Sequence, residues 1–235
     1  MRSLIRLIVP ALFLFACQKH PPPDMLKPVP DAEAVGLFHL VKPGETLFSI
    51  CKTYQADLQE VAEINDISDA DKLLVGQKVF IPDVEAAVAG DQPPPAGEKP
   101  EKKVAIQKWT GQFIWPVEGV LTSRFGIRNG RRHDGIDIGA PEGTDIHAAA
   151  DGTVLYSGDQ QTGYGNLIII SHTDNMITVY AHNKKNLVKE NDKVKRGQVI
   201  GKVGHTGRAT GPHLHFEIRK RTRPRNPLFF LPKFP

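Results

Sequence analysis

The chain has 235 residues, 40% of them hydrophobic, a composition that is ordinary for a globular protein with one or two domains. Its 30 basic and 26 acidic residues give a formal net charge of +4 and a pI of about 9.0. This balance is mild, and nothing in the basic residues suggests nucleic acid as a partner. A basic surface of this kind would also suit an anionic polymer of the cell envelope.

The first 16 residues have the pattern of a signal peptide. Arg2 and Arg6 precede residues 7–16, which are apolar apart from Pro10. That stretch is shorter than the roughly 20 apolar residues of a membrane-spanning helix, so it favours a secretory signal over a membrane span.

Residues 14–17 read LFAC and resemble the bacterial lipobox. The resemblance implies cleavage before Cys17 and lipidation of that cysteine, which would anchor the protein in a membrane. With Gln18 next to it, we expect an envelope protein, anchored at the outer membrane and facing the periplasm. A plain signal peptide cleaved nearby is the alternative. The remaining Cys51 is then a free thiol, which we expect to be buried.

Two proline-rich stretches divide the rest of the chain. Residues 17–36 cannot bury a core and favour an extended stalk, and residues 84–108 are interpreted as a semi-rigid, solvated linker. The first folded unit is therefore expected at 37–83 and the second at 109–235.

Residues 37–83 predict a strand, two helices and a second strand. Leu47, Ile50, Cys51 and Tyr54 have helical spacing behind Thr46, a candidate N-cap. In the second helix, Asp57 and Glu60 form a candidate capping box.

The sequence of this unit resembles a LysM domain. Residues 41–50 read VKPGETLFSI, residues 74–82 read LVGQKVFIP, and Asn65 lies between them. The resemblance implies a small α+β domain that binds peptidoglycan glycans, with a groove at Gly44, Glu45, Thr46 and residues 73–75. A domain that serves only as a spacer is the alternative.

Residues 109–235 predict a mostly-β unit of short strands and glycine-rich turns. Residues 167–170 and 177–181 are strand candidates, residues 194–203 alternate around two glycines, and the apolar tail from 224 is expected to pack over an antiparallel sheet.

Residues 211–218 read GPHLHFEI, in which apolar and polar residues alternate. His213, His215 and Glu217 should share one face of a strand, with Leu214 on the other. Two histidines so placed can reach one metal ion, but an accidental pair is the commoner explanation unless the chain supplies further ligands. Glu217 could support a metal-binding histidine on the same face, but a solvated carboxylate or an ion pair with Arg219 is the commoner outcome.

Residues 133–139 supply such ligands. In one extended segment the even spacing puts His133 and Asp137 on the same face. Together with His215 they make two imidazoles and one carboxylate, a donor set suited to Zn²⁺ with a fourth position open.

Proton transfer needs further groups. His213 suits the role of base, since it lies on the face of His215. By alternation Thr178, Tyr180 and His182 share a face, which makes His182 a candidate proton donor or oxyanion partner.

These motifs, in this order and spacing, resemble the lysostaphin-type (LytM-like) zinc metallopeptidases across residues 113–222. The resemblance implies one Zn²⁺ per chain, with His133, Asp137 and His215 as ligands and His213 and His182 as catalytic residues. It also implies that Asn166, in residues 163–166 (GYGN), lines the cleft.

The expected function is a zinc endopeptidase that cuts peptidoglycan cross-links. Envelope relatives that combine a LysM domain with this domain, the NlpD/EnvC type, include members without metal ligands that activate amidases. A non-catalytic activator, with a cell-wall amidase or divisome proteins as partners, is therefore the alternative hypothesis. The presence of every expected ligand favours the enzyme.

Overall fold

The structure is a computed structural model that describes residues 34–84, 105–109, 111–159 and 163–233. The predicted signal peptide, Cys17, most of the predicted stalk and most of the predicted linker lie outside the described residues. Within the described ranges, no helix is both long and apolar enough to cross a membrane.

The N-terminal unit has the predicted order of elements. Its strands pair in antiparallel fashion with Phe38 opposite Phe80. The elements are β1 (Gly36–Leu40), α1 (Leu47–Thr53), α2 (Leu58–Ile64) and β2 (Lys78–Pro82).

Both helices of this unit begin at the predicted caps. The Thr46 hydroxyl accepts from the Ser49 N–H and the Ser49 hydroxyl accepts from the Thr46 N–H, which closes a capping box at α1. At α2, the Asp57 carboxylate accepts from the Glu60 N–H at 2.8 Å. These bonds satisfy backbone donors that a helix of seven residues leaves open at its start.

The helices pack their apolar faces on β2. Leu47, Ile50 and Cys51 of α1 form a core with Val61 of α2 and Val79 of β2. Cys51 is buried as predicted, and burial, reinforced by Asp57, raises the pKa of its thiol to about 12. The thiol is therefore protonated and inert at neutral pH.

The second unit is a mostly antiparallel β domain, as predicted. The strands are β3 (Val120–Ser123), β4 (Gly126–Arg128), β5 (Arg131–His133), β6 (Ile136–Gly139), β7 (Asp145–His147), β8 (Gly152–Gly158), β9 (Asn166–Ser171), β10 (Met176–Asn186), β11 (Lys193–Val194), β12 (Val199–Val203), β13 (His213–Lys220) and β14 (Arg223–Arg225). Ten of them form one sheet with the main order β11-β8-β9-β10-β13-β6-β3 and with β7, β12 and β14 at its sides. Strands β4 and β5 pair with each other in a separate two-stranded sheet.

Strand β13 confirms the alternation read from the sequence. Leu214, Phe216 and Ile218 are fully buried in the larger core. Each contributes roughly 1.5–3 kcal/mol by burial, so the strand cannot slip by one residue without exposing them. His213, His215 and Glu217 are thereby fixed on the opposite face.

The glycine-interrupted pattern of residues 194–203 corresponds to two short strands, β11 and β12, with Gly197 (φ 83°) in a turn between them. The prediction of one extended segment over residues 133–137 was wrong in detail. His133 and Asp137 belong to separate strands, because the chain leaves β5 at Asp134 and Gly135 before β6 begins. The tail packs as predicted, and Phe229, Phe230 and Leu231 are buried in the core.

Candidate metal centre and catalytic cleft

An open cleft lies over the face of the sheet that carries the β13 histidines. It receives side chains from β4, β5, β6, β13, the end of β10 and the loops before β9 and β13. The lining residues are Arg128, Arg132, His133, Asp134, Asp137, Gly163, Tyr164, His182, Arg208, Thr210, His213, His215 and Glu217.

Three predicted ligands converge in this cleft. His133 Nε2 lies 3.2 Å from Asp137 Oδ1 and 3.2 Å from His215 Nδ1, and His215 Nδ1 lies 2.8 Å from Asp137 Oδ1. Strand register explains the closest pair, since Asp137 on β6 is directly opposite His215 on β13. His133 arrives from the neighbouring hairpin.

The geometry of these three atoms fits a zinc ion. Bonds of about 2.0–2.1 Å in tetrahedral directions separate neighbouring ligand atoms by roughly 3.3 Å. The observed separations of 2.8–3.2 Å approach that value without any backbone rearrangement. Two imidazole nitrogens and one carboxylate oxygen leave a fourth position open to the cleft.

Each ligand histidine is oriented through its other ring nitrogen. His133 Nδ1–H donates to the Arg124 carbonyl at 2.8 Å, and His215 Nε2–H donates to the Glu217 carboxylate at 3.1 Å. Without a metal, His133 Nε2 and His215 Nδ1 both lie within hydrogen-bonding distance of Asp137 Oδ1. With their other nitrogens bonded in this way, these two atoms would be free to bind an ion in place of a proton. Partners of this kind fix the tautomer and ring orientation that a metal requires.

Glu217 is fully buried, so the expected solvated carboxylate was wrong, while the expected ion pair with Arg219 is present at 2.5 Å. Its carboxylate also accepts from Tyr164 Oη–H at 2.7 Å, a contact that no local pattern in the sequence indicates. Burial alone would raise the pKa of Glu217, but the Arg219 charge and the His215 bond hold it well below its usual range. Glu217 therefore stays charged beneath His215.

The ligand cluster is strongly polarised. Burial alone would raise the pKa of Asp137, but hydrogen bonds from His133 and His215 hold it well below its usual range. Burial alone would lower the pKa of His215, but its bonds to the Asp137 and Glu217 carboxylates raise it to about 9. The pocket between these carboxylates thus favours a positive charge.

His213 lies beside the cluster, as its place on β13 predicts. Its Nδ1–H donates to the Gly211 carbonyl at 2.8 Å, and its Nε2 lies 3.9 Å from Asp137 Oδ1. The lone pair on Nε2 is therefore available in the cleft beside the three ligand atoms.

His182 also faces the cleft, but it reaches it by a different route from the predicted alternation. Thr178 and Tyr180 are in fact buried on the opposite face, where the Tyr180 hydroxyl accepts from the Ala149 N–H. A β-bulge after Tyr180 puts His182 in the left-handed region (φ 63°) and turns its ring over. Its ring centroid then lies 4.8 Å from that of His213.

The environment of His182 sets its protonation. Its Nδ1–H donates to the Thr206 carbonyl at 2.7 Å, which leaves Nε2 as an acceptor towards the cleft. Burial, and after it the neighbouring His215, lower the pKa of His182 to about 4. At neutral pH the ring is uncharged, so it can donate a proton into the cleft only after it has accepted one.

Asn166 is not among the cleft-lining residues. Its N–H donates to the Thr206 hydroxyl at 3.0 Å, and its Nδ2–H donates to the Asn183 carbonyl at 3.1 Å. It therefore holds the β10 bulge from behind, while Arg128, Arg132, Arg208 and Thr210 occupy the cleft wall. Arg208 and Thr210 lie in residues 207–215, which read GRATGPHLH and end at the two β13 histidines. This proximity was the available signal for them.

In the N-terminal unit, the predicted groove residues have mixed roles. Gly44 is exposed, but the Glu45 side chain is 5% exposed and accepts from the Lys42 N–H at 2.8 Å, with His39 Nε2 at 2.7 Å. The Thr46 hydroxyl caps α1. Leu74 and Val75, which also belong to the predicted groove, are exposed. The groove remains a prediction.

Comparison with known proteins assigns both units. The sequence model of the LysM domain matches residues 39–82, and that of peptidase family M23 matches residues 131–227. The chain is 38% identical over 207 residues to the uncharacterized lipoprotein YgeR of Escherichia coli, covering 84% of this chain and 82% of that protein. It is 33% identical over 230 residues to a lipoprotein NlpD/LppB homolog of Pseudomonas aeruginosa, covering 83% and 77%.

A third relative shares mainly the second unit. The murein hydrolase activator NlpD of Escherichia coli is 47% identical over 119 residues, which cover 51% of this chain and 31% of that protein. The matches to YgeR and the NlpD/LppB homolog each extend over more than two thirds of both chains. This chain therefore belongs to peptidase family M23, as a peptidoglycan-targeted, envelope-associated member that combines an M23 domain with a LysM domain.

Proposed function

We propose that this protein is a zinc-dependent endopeptidase that hydrolyses the peptide cross-links of peptidoglycan. The observation that carries the proposal is the convergence of His133 Nε2, Asp137 Oδ1 and His215 Nδ1 within 3.2 Å of one another. Two further histidines, His182 and His213, adjoin this cluster, and each has one ring nitrogen fixed by a backbone carbonyl.

His133, Asp137 and His215 would hold the zinc ion. Bound there, Zn²⁺ supplies Lewis acidity, which lowers the pKa of a water to about 7 and polarises a substrate carbonyl. The charged Glu217 supports this site because it fixes His215 and balances part of the positive charge.

His213 is the proposed base. Its Nε2 lies 3.9 Å from Asp137 Oδ1, at the edge of the ligand cluster, so it could take a proton from the attacking water and return it to the leaving amine. His182 is neutral in the resting protein. Its Nε2 would accept the second proton of the attacking water and then hold it as an N–H beside the developing negative charge, which refines its expected role.

The LysM domain would hold the enzyme on its polymeric substrate. We propose the domain limits 37–83 and 109–235 and retain the groove at Gly44, Glu45 and Thr46. We further propose that the signal peptide is cleaved before Cys17, that this residue is lipidated, and that the protein faces the periplasm from the outer membrane. The lipoprotein relatives support this arrangement.

Metal content together with turnover tests the proposal. The purified full-length protein should carry about one zinc per chain and release cleaved muropeptides from isolated sacculi. His213→Ala should abolish release and keep the zinc, whereas His215→Ala should lose both. A parent chain that binds no zinc and leaves sacculi intact would refute the proposal.

Activation of a separate hydrolase is a second candidate function. It is favoured by the 47% identity to the murein hydrolase activator NlpD over 119 residues. Complementation separates the two functions. If His213→Ala and His182→Asn variants still complement a deletion strain, the activator function is supported; if both fail while folding normally, the enzyme is supported.

A further inference from the structure

The LysM domain is fixed to the M23 domain by a buried interface. Glu63 of α2 is 2% exposed and forms a two-fold ion pair with Arg225 of β14. The Asn226 side-chain amide donates to the Glu63 carbonyl at 2.9 Å. Separation of the two domains at this point would break the ion pair between Glu63 and Arg225, which is costly for a buried pair. The contact is therefore a specific interface between the domains.

The end of α2 extends this contact to the hairpin formed by β4 and β5. Ile64 is 5% exposed and packs in the core of the M23 domain with Phe125. The Ile64 carbonyl lies so close to Gly126 that a Cβ on this glycine would come within 2.5 Å of it. Beyond the helix, Asp66 Oδ2 accepts from Arg124 Nη1 at 2.7 Å.

The same hairpin carries the ligand His133. Gly126, which touches Ile64, is directly opposite His133 in the β4–β5 pairing. Arg124, which pairs with Asp66, supplies the carbonyl that accepts from His133 Nδ1. Strand β4 has no other strand partner among the described residues, and the end of the LysM helix packs directly against it at Gly126.

We infer that the LysM domain is a positioning element of the metal centre, with Ile64 and Asp66 as the positioning residues that hold β4 and thereby orient His133. The predicted effect on zinc binding rests on the proposed function. The contact between the LysM helix and β4 is present without the metal. Loss of this support lets the hairpin sample other orientations, which weakens zinc binding at a site in the other domain.

Two isoleucines offer a matched test in the full-length protein. Ile64 and Ile67 are 5% and 7% exposed, but Ile64 packs in the M23 core and Ile67 in the LysM core. Ile64→Ala should weaken zinc affinity about tenfold in competition with a chelator, the lower end of the loss typical of a disturbed partner of a metal-ligating histidine. Ile67→Ala should lower the melting temperature by about as much as Ile64→Ala does, but it should leave the zinc affinity within twofold of the parent value.

Two milder substitutions at exposed carboxylates control for a loss of folding. Asp66→Asn removes the exposed pair with Arg124, whereas Asp69→Asn alters an exposed pair with Lys72 inside the LysM domain. Asp66→Asn should reduce zinc affinity severalfold and Asp69→Asn should not. Ile64→Val should restore most of the affinity lost in Ile64→Ala, because it refills the contact.

Amide hydrogen exchange tests the inference in protein without zinc. In metal-free protein, residues 124–133 should exchange faster in Ile64→Ala and Asp66→Asn than in the parent and the two controls. A parent without zinc affinity would refute the proposed function, and exchange alone would then decide this inference. Unchanged exchange at 124–133 in both variants, or parent zinc affinity in both, would overturn it.

Discussion

Strands β10 and β13 lie side by side in the sheet and both bring histidines into the cleft, yet they do so by different backbone geometry. β13 is regular, and its histidines follow from alternation. β10 loses its register after Tyr180, and His182 has a φ of 63°. The ligand His215 is therefore held by sheet register and core packing. His182 depends on the contacts that maintain a bulge.

Among substitutions in these two strands, removal of the His182 imidazole should have the largest effect, and the effect should be on turnover. His182→Asn suits the left-handed backbone, so it deletes the ring with little strain. Turnover should fall by about 10²–10⁴-fold, the usual contribution of one proton-transfer group, while zinc content stays at the parent level. His205→Asn, an exposed residue paired with Glu142, is the control. Loss of zinc in His182→Asn would show that the bulge supports the metal site as well.

A substitution at Glu217 tests the buried ion pair of the regular strand β13. Glu217→Ala leaves Arg219 buried at 3% exposure without its carboxylate partner, so the free energy of unfolding should drop by about 3–5 kcal/mol. Urea unfolding measures this. Glu142→Ala removes a more exposed carboxylate paired with Lys184, so its effect on the free energy of unfolding should be much smaller. Equal effects of the two substitutions would contradict the role assigned to Glu217.

The pKa of His182 predicts a pH dependence of the metal-free protein. Its folded pKa of about 4 lies below the ordinary 6.5, so the unfolded chain binds the proton more readily. The contribution of His182 to the free energy of unfolding is therefore fully present above pH 6.5. It is lost as the pH falls towards 4, and the loss is on the order of 2–3 kcal/mol. Between pH 7 and 4.5, the parent should therefore lose more stability than His182→Asn. Parallel pH profiles would contradict the buried, neutral state of this ring.

Asn166 should have the smallest effect. Asn166→Ala removes the amide that donates to the Asn183 carbonyl next to the bulge, at a cost of about 1 kcal/mol of unfolding free energy. Turnover should fall severalfold because His182 is less well held, with no change in zinc affinity. If KM rises and kcat stays constant, Asn166 binds substrate directly and the original interpretation of this residue is correct.

Features set by local pattern were predictable from the sequence. Thr46 and Asp57 cap the two helices because their side chains reach donors three residues away. Leu214 and Phe216 fix the face of β13 because alternation and burial agree.

Features set by distant contacts were not predictable in this way. The bulge at His182 depends on Thr206 and Asn166, and Glu63 and Arg225 are 162 residues apart in the chain. No periodicity within a strand or helix encodes such pairs. The docked position of the LysM domain, and with it the support of the His133 hairpin, therefore emerged only from the structure.

The central claim is that this chain itself cuts a peptide bond in peptidoglycan. Mass spectrometry of sacculi incubated with the zinc-loaded full-length protein tests it most directly. The account predicts products with a new amine and carboxylate within the peptide cross-link, which are absent with His213→Ala. Intact cross-links, or cleavage that requires an added amidase, would contradict it.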